Sequence, residues 1–171
     1  LGAMVANLSA HKPGWVDRWE EFSNWAVRGK ACHDELIRLI DADTDAFNGI
    51  MDAIRMPKST DAEQAARAEA MEAATCVAID IPLRVMQVSL ESMETIRAMA
   101  KIGNPASASD AGVGALCARS AVMGGELNVR INVKDLVNEA TAKDYVNRAA
   151  AISAEAQTLE TEILALLEAN L

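Results

Sequence analysis

Aromatic side chains are scarce in this 171-residue chain: two Phe, three Trp and one Tyr make up only 4% of it. β-Branched, aromatic-rich alternation is missing as well, so nothing in the pattern asks for an extended sheet. Positive charge is short, with 16 Lys and Arg against 25 Asp and Glu and a net charge of −9. No cluster of five cations occurs, which excludes the basic face that phosphate neutralisation on nucleic acid requires. No run approaches 18 uninterrupted apolar residues, so no membrane span is expected. The three cysteines, Cys32, Cys76 and Cys117, are odd in number and far apart; they fit neither a disulfide framework nor a CxxC metal site, and reduced, packed thiols in a cytoplasmic protein are expected. With only His11 and His33 present, there is no HExxH and no Glu-x-x-His, so no metal site is expected. The phosphate-cradling GxxxxGK[ST] and the nucleophile elbow GxSxG are absent too.

What remains is Ala, Leu, Ile, Val and Met, half of the chain being hydrophobic, interleaved with charged residues that are themselves good helix formers. The length suits one domain with a real core, and no internal repeat or linker divides residues 1–171. Leu1-Gly-Ala-Met-Val-Ala-Asn-Leu8 reads as the interior of a helix without a cap, so further residues are expected upstream of Leu1. This fragment ends where Pro13 and Gly14 break it. A helical run is predicted over 16–54, bent or divided at Gly29, with Leu36, Ile40, Phe47, Ile50 and Ile54 on one stripe and Arg38, Asp41, Asp45, Asn48 and Asp52 opposite. Pro57 marks a turn, and Thr60 or Asp61 caps a second helix reaching about residue 102. Pro82 within it predicts a kink or restart near Ile81. Gly103-Asn104-Pro105 stops that helix, and Ser107 offers a cap for the next, which carries Val113, Leu116, Ser120, Met123 and Leu127 and weakens at Gly124-Gly125. Residues 128–133 alternate polar and apolar, leaving a short strand open. The last helix, about 141–167, repeats Tyr145, Ala149, Ile152, Ala156, Leu159, Ile163 and Leu166 at three–four spacing, as an antiparallel bundle or a subunit seam requires. The fold class is therefore all-α, a bundle of about five helices.

Asp43 is the anomaly. It falls three after Ile40 and four before Phe47, inside the apolar stripe. It is either a carboxylate at the stripe's edge reaching water, or one kept partly dry with a raised pKa suited to acid–base work. A polar set, Asn104, Ser107, Ser109, Asp110, Asn128 and Asn132, flanks one helix; caps and a hydrogen-bonding pocket account for it equally well. His33, beside Asp34 and Glu35, reads as a surface residue.

Four segments occur in order over nearly the whole chain: Asp41-Ala-Asp-Thr-Asp-Ala-Phe47, Met56-Pro-Lys58, Gly103-Asn104 with Ser109-Asp110-Ala-Gly-Val113, and Asn128-Val-Arg-Ile-Asn132. Together they resemble the cyclodeaminase domain of formiminotransferase-cyclodeaminase and the bacterial methenyltetrahydrofolate cyclohydrolases. The resemblance implies a helical homodimer with a folate site at the subunit interface; separately, five helices cannot easily cover both the Tyr145–Leu166 stripe and the Asp43 stripe, so a homodimer or a higher even oligomer is expected. The resemblance also implies closure of 5-formiminotetrahydrofolate to 5,10-methenyltetrahydrofolate with loss of ammonia, as in histidine degradation, with no cofactor beyond the tetrahydrofolate substrate. A formiminotransferase domain or protein is an implied partner. The family's essential aspartate matches Asp43. Lys12 and Lys58 match basic positions that could meet the folate glutamate tail, and Asn104, Ser109, Asp110, Asn128 and Asn132 match its polar motifs. A Pro-Gly-Gly-Gly-Ser-like loop that precedes the family's first helix has no counterpart after Leu1. The alternatives are a methenyltetrahydrofolate cyclohydrolase, with water as nucleophile at the same carbon, and a helical oligomerisation module without catalysis.

Overall fold

The computed structural model describes residues 1–168, of which the helices are α1 (Gly2–Ala10), α2 (Trp19–Arg55), α3 (Asp61–Ile102), α4 (Ala108–Asn132) and α5 (Glu139–Glu168). Three 3-10 turns, Val16–Arg18, Pro105–Ser107 and Val133–Asp135, join them, and there is no strand among the described residues. The all-α expectation holds. The possible strand at 128–133 does not form; α4 runs on through Asn132 before its last turn tightens.

α3 is the hub, packing against α1, α2, α4 and α5. That position accounts for its composition: it alone among the described helices is long and apolar enough to cross a membrane, and Ile79, Leu83, Met86 and Met93 on it are fully buried. Burying each such side chain is worth about 1.5–3 kcal/mol. The main core joins these residues to Ala111, Ala115, Val122 and Val129 of α4 and to Tyr145, Ala149, Ala156, Leu159 and Ile163 of α5. The α5 stripe is thus a seam inside the chain. A second, smaller core gathers Val5, Ala6, Phe22, Ala26 and Met99 under α1, with Trp15 stacked on Phe22 at 5.4 Å between ring centres.

Thr60 begins α3 with a full capping box: its side chain accepts from the Glu63 amide while the Glu63 carboxylate accepts from the Thr60 amide. Ser107 does not cap α4 with its side chain; Asn104 caps the preceding turn instead, accepting from the Ala106 amide at 3.2 Å. Gly29 does not divide α2. It lets α1 cross closely, since a Cβ there would stand 3.0 Å from the Ala3 Cβ and 3.2 Å from the Thr95 Cγ2. Cys32 and Cys76 are half-buried but Cys117 is exposed, so only two of the three thiols are packed.

Pro82 leaves α3 continuous. A proline cannot donate to the carbonyl four residues earlier, here that of Ala78. The Asn132 side-chain amide of α4 fills the vacancy, donating to the Ala78 oxygen at 3.0 Å. α4 can come this near because residue 125 is glycine: a Cβ would lie 2.5 Å from the Met86 Cγ and 3.0 Å from the Pro82 oxygen.

The helical stripes are where expectation and structure part. On α2 the core-facing residues are Phe22, Ala26, Leu39, Ala46 and Ala53, whereas Ile40, Phe47 and Ile54 are 63%, 60% and 45% exposed. α4 is inverted in the same way. Its inner face is Ala, Gly and Val, and Val113, Leu116, Met123 and Leu127 face outward.

Candidate active site

α2 and α4 lie on either side of α3 and run in the same direction, leaving a trough between them. One part, of about 410 Å³, is lined by Leu36, Leu39, Ile40, Asp43 and Thr44 of α2, Ile81, Pro82 and Val85 of α3, and Gly125 and Asn128 of α4. It adjoins at Leu36 a second part of about 560 Å³, which continues past His33, Lys30 and Gly29 of α2 and Ser89 and Thr95 of α3 to the start of α1. The trough exists because α4 meets α3 through small residues, which sink its backbone, while its large side chains face outward.

Asp43 sits at one end of this trough. Its carboxylate is exposed in the single chain, where the apolar-stripe reading allowed a partly dry one. The difference follows from the outward turn of the stripe: Ile40 and Phe47 flank Asp43, and none of the described residues covers them. Asn128 stands on the opposite wall, also exposed. Neither side chain has a hydrogen bond or ion pair among the described residues, so both are free to meet a ligand.

The remaining sequence-selected residues are dispersed. Asn104 lies at the other end of α4, where its backbone amide donates to the Ser9 hydroxyl at 2.8 Å. Ser109 and Asp110 occupy the first turn of α4, about 28 Å along its axis from Asn128. The six polar groups therefore do not form one pocket. Asn132 is half-buried and engaged by Ala78, which gives it a structural duty in place of a free face for substrate. Lys12 packs over the Trp15 ring at 4.1 Å near the start of α2, and Lys58 is exposed in the turn after its end. The 37 residues of α2 hold these two cations roughly 55 Å apart, so one chain cannot bring both to one ligand.

The α2–α3 wall is fixed by charge. Arg84 of α3 donates to Glu35 at 3.3 Å and to Glu91 at 3.3 Å, while Arg38 donates to Glu35 at 2.8 Å. The Arg38 hydrogen bond above all, with Arg84 adding to it against a desolvation penalty, lowers the Glu35 pKa to about 2. His33 remains on the surface, its Nδ1 3.0 Å from Asp34. Sequence reasoning missed Pro82, Gly125 and Thr44 as parts of the groove. The Pro82 and Gly124-Gly125 signals were visible, but as helix breakers they pointed to disruption; packed together they form a close helix crossing.

Residues 1–151 match the family model described as formiminotransferase-cyclodeaminase. The chain belongs to this family. The methenyltetrahydrofolate cyclohydrolase of Methylorubrum extorquens is 32% identical over 163 residues, spanning 95% of this chain and 78% of that protein. The formimidoyltransferase-cyclodeaminase of Gallus gallus is 34% identical over 98% of this chain, which corresponds to only 31% of the longer protein. The fold matches the crystal structure of formiminotetrahydrofolate cyclodeaminase from Thermotoga maritima with a TM-score of 0.85, over 98% of this chain and 80% of that one, at 23% identity. Named members of the family are thus cyclodeaminases and cyclohydrolases acting on folate derivatives, and family membership replaces the bare oligomerisation module as the frame for this groove.

Proposed function

We propose that this chain is a formimidoyltetrahydrofolate cyclodeaminase, with Asp43 as its proton-transfer group. The observation that carries the reading is the unpaired Asp43 carboxylate, set between apolar side chains at the end of a groove whose opposite wall offers Asn128. In 5-formiminotetrahydrofolate the N10 amine attacks the formimino carbon. A C–N10 bond forms, Asp43 accepts the N10 proton, and that proton passes to the nitrogen that leaves. With the second proton carried by the amidinium form of the substrate, the C–N bond breaks to release ammonia and the methenyl cation remains. One carboxylate alternating between base and acid suffices for both transfers. Asn128 is placed to hold a polar edge of the pterin. The protein is proposed to work in the cytoplasm without a further cofactor, as a homodimer, which would supply cover for the exposed Ile40, Phe47 and Ile54.

A second reading has its own support. The Methylorubrum relative, matched over nearly all of this chain, is named a cyclohydrolase, and the same groove serves that reaction if water is the nucleophile. Supplying 5-formiminotetrahydrofolate and methenyltetrahydrofolate separately, and following methenyl absorbance as it grows or decays, distinguishes the two. Activity with neither, and no binding of a folate analogue, would leave a structural module.

A further inference from the structure

Among the described residues, three polar side chains line the Asp43 end of the trough: Asp43 and Thr44 of α2 and Asn128 of α4. The rest of that wall is Leu, Ile, Val, Pro and Gly. Thr44 follows Asp43 by one residue, about 100° around the same helix, and like Asp43 it is exposed. Its hydroxyl donates back one turn to the Ile40 carbonyl, with Oγ1 3.4 Å from that oxygen, a bond that threonines within helices often make. A hydroxyl has one hydrogen and two acceptor lone pairs, so Thr44 meets the groove as an acceptor. The bond to Ile40 is long, and a ligand N–H arriving at Oγ1 polarises the hydroxyl and strengthens it.

The nitrogen that leaves in the proposed reaction needs an acceptor of this kind. It arrives as the NH2 of an amidinium and becomes an amine NH2 once N10 has attacked the carbon. It then takes the proton held by Asp43 on its lone pair, and the C–N bond breaks with its electrons leaving on ammonia. A donor aimed at that lone pair would block the transfer. An acceptor on one N–H instead turns the lone pair toward the carboxylate and leaves it free, while Thr44 itself neither gains nor loses a proton.

Resting on the cyclodeaminase reading above, we propose that Thr44 determines specificity for the leaving group: its oxygen accepts a hydrogen bond from the formimino N–H and selects nitrogen over oxygen at that position. A carbonyl oxygen on the same carbon offers no N–H and sets its lone pairs against those of Thr44.

The test compares Thr44→Val, which keeps the shape and removes the hydroxyl, with Thr44→Ser, which keeps the hydroxyl and removes the methyl. Turnover of 5-formiminotetrahydrofolate is followed by methenyl absorbance. The 5-formyl compound, with oxygen in place of the leaving nitrogen, is measured as a competitive inhibitor. Thr44→Val should lose about tenfold in kcat/KM, the scale of one hydrogen bond to a charged group, with most of the loss in kcat. Its inhibition by the formyl compound should stay within about twofold of wild type, because no hydrogen bond to that oxygen is lost. Thr44→Ser should stay within about threefold in kcat/KM, since its hydroxyl can make the same bond. Equal losses in the two variants would assign the effect to the methyl group and overturn the proposal. So would unchanged turnover in Thr44→Val, or formyl inhibition weakened as much as turnover; both leave Asp43 catalysis standing. Full activity in Asp43→Asn, or a wild-type protein that hydrolyses methenyltetrahydrofolate and leaves the formimino compound untouched, would instead remove the cyclodeaminase reading and this proposal with it.

Discussion

Asn132 and Pro82 should be energetically coupled, and the coupling can be measured. The Ala78 carbonyl has no intrahelical donor because residue 82 is proline, and the Asn132 amide replaces that donor at 3.0 Å across the α3–α4 crossing. Truncating Asn132 to Ala leaves a half-buried acceptor unpaired. A fully buried orphan costs about 1–3 kcal/mol, and partial access to water puts this one near 1–2 kcal/mol. For a chain of this length that lowers the melting temperature by roughly 2–8 °C. In a Pro82→Ala background the new backbone N–H reaches Ala78 itself, and the same Asn132→Ala change should then cost nearly nothing. Urea titrations of the four proteins, followed by circular dichroism, should give a coupling energy of about 1–2 kcal/mol without any assumption about what Pro82→Ala does alone. Equal costs for Asn132→Ala in both backgrounds would refute the account. The cycle also separates two duties for Asn132: if it contacts substrate, KM stays raised in the double variant although stability has returned.

Asp43→Asn should lower turnover by about 10²–10⁴-fold with an unchanged melt, because the side chain is exposed and unpaired; Asp41→Asn and Asp45→Asn, also exposed on α2, should stay within about twofold, and activity lost equally by all three would deny Asp43 its special role. Gly125→Ala pushes a methyl to 2.5 Å from the Met86 Cγ and 3.0 Å from a backbone oxygen, so a loss of roughly 1–3 kcal/mol is expected in chemical unfolding, and a neutral result would show that the crossing yields. Tyr145, the only tyrosine, donates to Asp80 at 2.9 Å, and burial first, then that carboxylate, raises its pKa to about 12. Since the folded value lies above the ordinary one, this contribution to stability is intact below about pH 10 and is lost as pH rises through about 12; phenolate absorbance appearing with a midpoint near 10 in the folded protein would contradict it.

How much of this was legible depends on what each signal physically reports. Caps and breakers act within a few residues, so a cap at Thr60 or Asp61, the Pro57 turn and the stop at Gly103 could be read directly. Periodicity reports only that a helix has an apolar side; it does not say whether the cover comes from the same chain. The α5 stripe and the α2 stripe look alike in sequence, yet α3 and α4 cover the first and nothing within the described residues covers the second. What separates them is the small residue beside the large one. Leu39, Ala46 and Ala53 carry the inward face of α2 at heptad spacing, and Ala and Gly carry that of α4, because α3 is crowded by four neighbours and admits backbones more readily than bulk. Alanine is so common here that its stripe was hidden behind the louder pattern of Ile and Phe. The same substitution of small for large creates the trough, turns Asp43 outward among apolar neighbours, and leaves its surroundings to be completed by whatever meets α2. In the proposed reaction Asp43 therefore works among apolar neighbours, Ile40 and Phe47, that the described residues leave uncovered.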